Sequence, residues 1–193
     1  LTRLRQLSLD PALVDERYEG VGSAKINLLC SHLEQIVPAG HQVLVFSQFV
    51  SFLERIDTAL KQRGISCLLL EGKTRKREEV IAKFRRGEES VFLISLKAGG
   101  VGLTLTEADY VYIMDPWWNP SVEAQAINRA HRIGQDRAVN VYRLVAQDTI
   151  EEKVCQLQAH KQRLIDTVVD DVGDGGTQGM DIDQLIELLG AGE

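Results

Sequence analysis

Short clusters of apolar residues, many of them β-branched, recur along the chain and are separated by amphipathic or polar stretches. Such clusters are typical of strands that are buried on both faces of a parallel sheet. Five segments have this pattern and are predicted to be strands, at residues 42–46, 65–70, 91–96, 110–115 and 139–145.

Amphipathic helices are predicted between most of these strands, because apolar residues recur there at the spacing of one helical face. The first two helices precede Gly64 and Gly87, and glycine suits a helix C-terminus. Alternation of strands and helices favours right-handed crossovers and a parallel, doubly wound α/β sheet with helices on both faces. These helices are predicted over residues 49–60, 80–84 and 121–132.

Further helices are predicted on either side of the alternating region. Residues 23–37 have an apolar face and are expected to cover the sheet. Asp148 and Glu151 have the spacing of a helix N-cap and its reciprocating carboxylate, which predicts a helix from there to about residue 169. A glycine-rich flexible segment over 173–179 and a short amphipathic helix over 182–189 are predicted to follow.

Composition and charge narrow the class of protein. The net charge of −6 argues against a stand-alone nucleic-acid-binding domain, so any DNA contact is expected to be local and to need a partner lobe. Three dispersed cysteines and four histidines without metal-ligand spacing predict free thiols, a reducing compartment and no bound metal. No apolar run reaches the roughly 18 residues of a membrane span, and residues 1–11 have no signal-peptide core.

The unusual residues fall at the predicted carboxyl ends of strands, which is where open parallel sheets bind ligands. Ser47 and Gln48 follow the first strand, KAGGVG at residues 97–102 follows the third, and DPWWNP at 115–120 follows the fourth. The glycines of the second segment allow positive φ and close approach of the backbone to a ligand. A tight turn has the same composition, so both interpretations stay open.

One face of the helix predicted after Pro120 carries Gln125, Arg129 and Arg132. Planar guanidinium groups on one stripe suit a polyphosphate, although a solvated charged face has the same spacing. The chain has no GxxxxGK[ST] phosphate loop and no Asp-Glu pair positioned to hold a magnesium ion. The sequence therefore indicates either a protein that does not bind nucleotide or one half of a nucleotide site.

Three motifs in order resemble the C-terminal lobe of the SWI/SNF-type ATPases, which are superfamily 2 helicase-like DNA translocases. They are KAGGVGL at 97–103, DPWWNP at 115–120 and QAINRAHRIGQ at 125–135, of which RAHRIGQ is the most specific. Residues 2–6 resemble the end of the linker from the first lobe, and residues 148–153 resemble the closing brace of the family. The motifs look more like microbial members than like the large eukaryotic remodellers.

The resemblance implies a RecA-like domain that closes on ATP held by a separate first lobe. That lobe would carry the phosphate loop and the ligands of Mg²⁺, so ATP and Mg²⁺ are the implied cofactors. Arg129 and Arg132 match the arginine-finger positions and Gln125 matches the accompanying amide. We assign Gly100 and Gly102 to the same ATP site.

The resemblance also implies contacts with double-stranded DNA. Trp118 matches the DNA-contacting tryptophan of the family, and we assign Asn119 beside it to the same surface. Ser47, Gln48 and Lys97 lie in segments that usually face the nucleic-acid backbone. The implied partners are therefore duplex DNA and the first lobe, with no membrane.

Two positions depart from the family pattern. Asn128 stands where the family commonly has Asp, and Thr104 stands where it commonly has Asn. Neither change removes a finger arginine, so the mechanism is expected to survive, while the strength of lobe coupling is in question. Two other functions stay open: the second lobe of a strand-separating DNA or RNA helicase, and a non-catalytic interaction module with this fold.

These interpretations divide the chain into four parts. Residues 1–22 are expected to end the inter-lobe linker, 23–147 to form the RecA-like domain, 148–172 to form the brace helix, and 173–193 to form a flexible linker with a short helix. The chain by itself is expected not to hydrolyse ATP. The expected location is intracellular, in the cytoplasm or nucleoid of a microbe or in the nucleus of a eukaryote.

Overall fold

The computed structural model describes residues 1–96, 103–117, 119–130 and 137–172. Its strands, in chain order, are β1 Val43–Ser47, β2 Cys67–Leu70, β3 Val91–Ser95, β4 Tyr110–Ile113 and β5 Asn140–Arg143. They form one parallel sheet in the order β2-β3-β1-β4-β5. The five predicted strands are confirmed, each within a few residues of its expected bounds.

Six α-helices connect and flank these strands in the described part of the chain. They are α1 Thr2–Leu9, α2 Ala24–Ile36, α3 Val50–Gln62, α4 Arg77–Arg85, α5 Pro120–Ile127 and α6 Ile150–Val172. Two short 3-10 helices, Pro11–Leu13 and Glu16–Tyr18, lie between α1 and α2. Gly64 and Gly87 end α3 and α4 with φ values of 73° and 70°, as the sequence predicts.

Alternate residues of the strands enter two separate hydrophobic cores. On one face, Val43 and Val45 of β1 pack with α2 and α3. On the other, Leu44 and Phe46 pack with α4 and α5. Burying each such side chain removes apolar surface from water and contributes about 1.5–3 kcal/mol. The predicted parallel sheet with helices on both faces is therefore confirmed.

Strand β5 differs from the prediction of a strand buried on both faces. All four of its residues are exposed, and Val141 and Tyr142 retain 42% and 40% of their surface. The physical reason is its position, because β5 is the last strand in the order of the described sheet and pairs only with β4. Tyr142 instead stacks its ring 5.0 Å from the ring of Tyr112.

Helix α5 is shorter than predicted. It ends at Ile127 rather than continuing to residue 132, and Asn128 occupies its C-cap. The amides of Arg129 and Ala130 then donate to the carbonyls three residues earlier, at 3.3 and 3.1 Å, which forms a tight turn. Residues 131 and 132 lie outside the described part of the chain.

The prediction that Asp148 and Glu151 form the N-cap of α6 is wrong. Asp148 has a φ of 56°, and the side chain that caps the helix is Thr149, whose Oγ1 accepts from the amide of Glu151 at 3.2 Å. The carboxylate of Glu151 turns into the protein and binds Lys25. A buried ammonium group attracts this carboxylate more strongly than a helix-end amide does.

Residues 1–22 pack on the lobe. Leu9 is part of the core formed with α2 and α3, and its carbonyl accepts from the hydroxyl of Ser23 at 2.5 Å. Arg55 of α3 donates to Asp10 at 2.6 Å and to Glu19 at 2.9 Å. Whether this segment ends an inter-lobe linker stays a prediction.

Candidate functional site

The candidate site lies at the carboxyl ends of β1 and β4. The chain leaves β4 through residues 114–117, which we call the β4 exit loop, and enters α5 at Pro120. Asp115 of this loop is 1% exposed. It accepts from the Gln48 side-chain amide at 2.5 Å and from the Gln48 backbone amide at 3.3 Å, which links the exits of the two central strands.

Ser47 and Gln48 are both buried, with 0% and 9% of their surface exposed. Within the lobe, the Ser47 hydroxyl accepts from the amide of Phe49 at 3.1 Å, and the Gln48 side chain links Asp115 to Arg5. Contact of these two residues with the DNA backbone stays a prediction. In this conformation both side chains support the β4 exit loop from within the lobe.

Arg5 of α1 reaches the same loop. Its guanidinium donates to Gln48 Oε1 at 3.0 Å and to the carbonyl of Pro116 at 2.6 Å, and it lies 3.8 Å from the Asp115 carboxylate. It also lies over the ring of Trp117, with 5.5 Å between Cζ and the ring centroid. A guanidinium group can make these contacts together because its donors spread in one plane.

Burial dominates the electrostatics of this cluster. Loss of hydration raises the pKa of Asp115 above its ordinary value, against the opposing hydrogen bonds from Ser47 and Gln48 and the charge of Arg5. The same cause lowers the pKa of the Arg5 guanidinium, against the charge of Asp115. Each group is therefore costly to bury alone, and the two offset each other's cost.

A second buried cation, Lys25 of α2, binds the other end of the loop. Its ammonium donates to the carbonyls of Met114 at 2.6 Å and Leu144 at 2.8 Å, and to both carboxylate oxygens of Glu151 at 2.8 and 2.6 Å. Burial lowers the pKa of Lys25 and raises the pKa of Glu151, while their mutual attraction opposes both shifts. Lys25 thus joins the ends of β4 and β5 to the first turn of α6.

Helix α6 also reaches the loop through Gln158. The amide of Trp117 donates to Glu123 at 2.8 Å, and the Gln158 side-chain amide donates to the same carboxylate oxygen at 2.9 Å and to the Trp117 carbonyl. Arg143 of β5 pairs with Glu123 at 2.5 Å. The backbone at Trp117 is therefore fixed by both α5 and α6.

Of the predicted arginine face, Gln125 lies in α5 and Arg129 lies in the turn that follows it. Asn119 caps its N-terminus by accepting from the amide of Ser121 at 3.0 Å, so its side chain has a structural role beside the predicted DNA contact. Gln125 is exposed and Arg129 is partly buried. The carbonyl of Arg129 accepts from the amide of Leu105 at 2.8 Å, which ties the turn after α5 to the segment that follows the glycine-rich motif.

Several predicted site residues lie outside the described part of the chain. Their roles stay predictions from the sequence: Lys97, Gly100, Gly102, Trp118 and Arg132. Within the described residues, no group of His, Cys, Asp or Glu is placed to hold a metal ion. No helix within those ranges is both long enough and apolar enough to cross a membrane.

Sequence reasoning missed the polar residues that hold the loop. Arg5, Lys25, Glu123 and Gln158 are charged or polar residues on amphipathic helices, and nothing in the spacing distinguishes them from solvated residues. The sequence did single out Glu151, but the position of this residue near a predicted helix start favoured a capping role. Their partners are up to 126 residues away in sequence, so only the folded chain identifies them.

Residues 24–134 match the family model of the helicase conserved C-terminal domain. The chain belongs to this family. The resemblance to SWI/SNF-type ATPases is also confirmed, since its relatives are helicases and repair proteins of the Rad5 and SNF2 kind. It has the RecA-like fold of the second lobe of such ATPases.

Two relatives and one solved structure illustrate the similarity. The DNA repair protein RAD5B of Arabidopsis thaliana is 48% identical over 148 residues, which are 74% of this chain and 12% of that protein. An ATP-dependent helicase of Mycoplasma pneumoniae is 42% identical over 154 residues, which are 78% of this chain and 15% of that protein. The C-terminal part of the Fun30 ATPase domain superimposes with a TM-score of 0.67 at 38% identity, covering 70% of this chain and 45% of that one.

The chain therefore spans only a small part of the length of these relatives. They come from a plant and from a bacterium, so they do not separate a microbial origin from a eukaryotic one.

The buried pair of Lys25 and Glu151 generates a prediction about stability. Glu151→Gln and Lys25→Met should each lower the free energy of unfolding by about 3–5 kcal/mol, because each leaves a buried polar or charged partner uncompensated. The double variant should lose less than the sum of the two. Urea-induced unfolding of the chain measures all three values.

The matched control is Lys61→Met, which removes the exposed lysine paired with Asp57 at 2.6 Å. Its unfolding midpoint should not change, since exposed ion pairs contribute little. Strictly additive losses in the double variant would show that Lys25 and Glu151 are not energetically coupled.

Proposed function

We propose that this chain is the second ATPase lobe of an ATP-dependent translocase on double-stranded DNA. The observation that carries the proposal is helix α5, which begins directly after the β4 exit loop, carries the exposed Gln125 and leads to the partly buried Arg129. Membership in the helicase C-terminal family supports the same function.

The nucleotide side of the proposed site consists of Gln125, Arg129 and Arg132, with the backbone of Gly100 and Gly102 beside them. ATP would be bound by the first lobe, which would also hold Mg²⁺, since this chain has no phosphate-loop motif. Phosphoryl transfer depends almost entirely on positioning and charge stabilisation. The arginines would therefore act on the charge that develops in the transition state when the lobes close.

The DNA side of the proposed site consists of Trp118, Asn119 and Lys97 as direct contacts. Ser47 and Gln48 would act on DNA indirectly, because they are buried and hold the β4 exit loop that precedes Trp118. Duplex DNA and the first lobe are the proposed partners, and the proposed location is the compartment that holds the DNA. The names of the relatives include both DNA repair proteins and helicases, so strand separation is a competing outcome of the tests below.

The first test compares this chain with the two-lobed protein. The chain alone should show no DNA-stimulated ATP hydrolysis, whereas the two-lobed protein should hydrolyse ATP and displace a triplex-forming strand from duplex DNA. Phosphate release and triplex displacement measure the two activities. Turnover by the purified chain would contradict the half-site, strand separation without movement on duplex would favour the helicase, and no turnover in either form would favour a non-catalytic module.

The second test concerns the arginines. In the two-lobed protein, Arg129→Ala or Arg132→Ala should lower kcat by about 10³- to 10⁵-fold while ATP affinity changes little, because an arginine finger acts mainly in the transition state. Lysine should restore little, because it lacks the planar fork of donors. The control is Arg86→Ala, which removes an exposed arginine paired with Glu88 and should leave kcat unchanged.

Nucleotide affinity and kcat decide this assignment together. A collapse in ATP binding with a near-normal residual rate would show that the arginines hold the ground state and are not fingers.

The third test separates the two tryptophans. Trp118→Ala in the two-lobed protein should leave folding and basal ATP hydrolysis nearly intact and sharply reduce triplex displacement, since base stacking by an aromatic ring contributes about 1–3 kcal/mol. Trp117→Ala should instead lower the melting temperature, because Trp117 is partly buried against Arg5. If neither variant affects movement, the proposed DNA grip by this loop is wrong.

A further inference from the structure

The β4 exit loop is held by a helix that lies outside the part of the chain matched by the family model. The match begins at residue 24, whereas Arg5 belongs to α1. The Arg5 side chain is 9% exposed and reaches a loop 111 residues away in sequence. Contacts at this sequence separation connect the segment before the lobe directly to the proposed DNA-facing loop.

The contacts of Arg5 are with parts of the loop that define its path. One guanidinium nitrogen donates to the carbonyl of Pro116 at 2.6 Å and lies 3.8 Å from Asp115, and the other donates to Gln48 at 3.0 Å. The guanidinium plane lies near the Trp117 ring. Arg5 therefore fixes one backbone carbonyl, one carboxylate and one indole of the loop at the same time.

Stabilisation of the lobe does not by itself explain why Arg5 is buried at this position. A buried arginine loses its hydration, and replacing a buried ion pair with apolar residues of similar size is often neutral or stabilising. An apolar residue makes no directional hydrogen bonds. The planar donors of a guanidinium group, in contrast, fix the positions of their acceptors. Arg5 offsets the cost of burying Asp115, and its planar donors also set the geometry of the loop.

The loop is followed at once by the residues of the proposed site. Trp118 and Asn119 come next in sequence, and Asn119 caps α5, which carries Gln125 and leads to Arg129. Displacements of about 1 Å in a positioned group can reduce a rate about 100-fold. A shift of the loop would therefore be transmitted both to the DNA contact and to the arginine face.

We propose that Arg5 is a positioning residue that sets the β4 exit loop, and that α1 thereby couples the chain that precedes the lobe to its grip on DNA. The functional half of this inference rests on the proposed translocase function. The structural half does not, because it concerns only the position of the loop within this chain.

The structural half can be measured by tryptophan fluorescence. The chain has two tryptophans, Trp117 and Trp118, and both adjoin or belong to this loop, so the whole indole emission reports on it. In Arg5→Met, the acrylamide quenching constant should rise about twofold while circular dichroism shows a folded chain, because the loop loses its hydrogen bonds and charged neighbour. The quenching constant of Arg5→Lys should lie between those of Arg5→Met and the unchanged chain.

The matched control is Arg3→Met, which removes an exposed arginine from the same helix. It should leave quenching unchanged. Equal quenching in Arg5→Met and the unchanged chain would overturn the proposal. If Arg5→Met fails to fold, Arg5→Lys decides, because it keeps the charge and loses the fork; unchanged quenching in that folded variant would also overturn it.

The functional half is measured in the two-lobed protein. Arg5→Met should raise the DNA concentration for half-maximal ATPase stimulation about tenfold and lower the triplex displaced per ATP, with DNA-independent hydrolysis within about twofold of normal. A purely structural role would lower all rates in parallel with the folded fraction. Parallel loss, or unchanged coupling, would therefore overturn this half.

The unsubstituted two-lobed protein distinguishes a failure of the proposed translocase function from a failure of the coupling role of Arg5. If it does not displace the triplex, the proposed translocase function fails, and the fluorescence result still decides whether Arg5 positions the loop. If it displaces the triplex and Arg5→Met does so with equal efficiency per ATP, the coupling role of Arg5 fails and the proposed function stands.

Discussion

Two buried cations hold the backbone of the β4 exit loop, and the candidate site takes its position from them. Lys25 binds the carbonyl of Met114, and Arg5 binds the carbonyl of Pro116. Buried carbonyl groups require donors, and a strand that has just ended no longer receives them from its neighbours. The ammonium and guanidinium groups supply these donors at the point where the chain leaves the sheet.

Each cation is buried together with an acidic partner, which limits the free energy that its burial costs. Glu151 lies against Lys25 and Asp115 lies near Arg5, so neither charge is left alone in an apolar environment. The arrangement joins α1 and α2 to α6, whose Glu151 lies 126 residues after Lys25 in sequence. The two flanking helices of the lobe, α1 and α6, are therefore joined through the same loop.

This network also bears on how an acidic lobe could act on DNA. Arg5 and Lys25, two of the 22 Lys and Arg residues, are buried and satisfy internal carbonyls and carboxylates, so they are not available to phosphates. With a net charge of −6, the proposed DNA contact would rest on a few local groups. A loop of fixed geometry suits such a contact. Only a few interactions are available, so each must be placed accurately to be productive.

The sequence by itself determined the class of the fold, the strand positions and the family. The apolar clusters at residues 42–46 and 91–96 are long enough and apolar enough to be buried central strands whatever surrounds them, and Gly64 and Gly87 end helices by a local backbone preference. The motifs between residues 97 and 135 identified the family because each of them is a contiguous run of residues that can be read directly from the sequence.

Tertiary structure decided what the polar residues do. Glu151 has the local spacing of a capping residue, yet the ammonium of Lys25, 126 residues away, binds it more strongly. Gln48 follows a strand and looks available to a ligand, yet it is buried between Arg5 and Asp115. β5 has an apolar centre but lies at the edge of the described sheet. Folding brings Glu151 and Gln48 to partners that are distant in sequence, and it places β5 at the sheet edge. A charged or polar side chain thus takes its role from its partner in the folded chain and not from its neighbours in sequence.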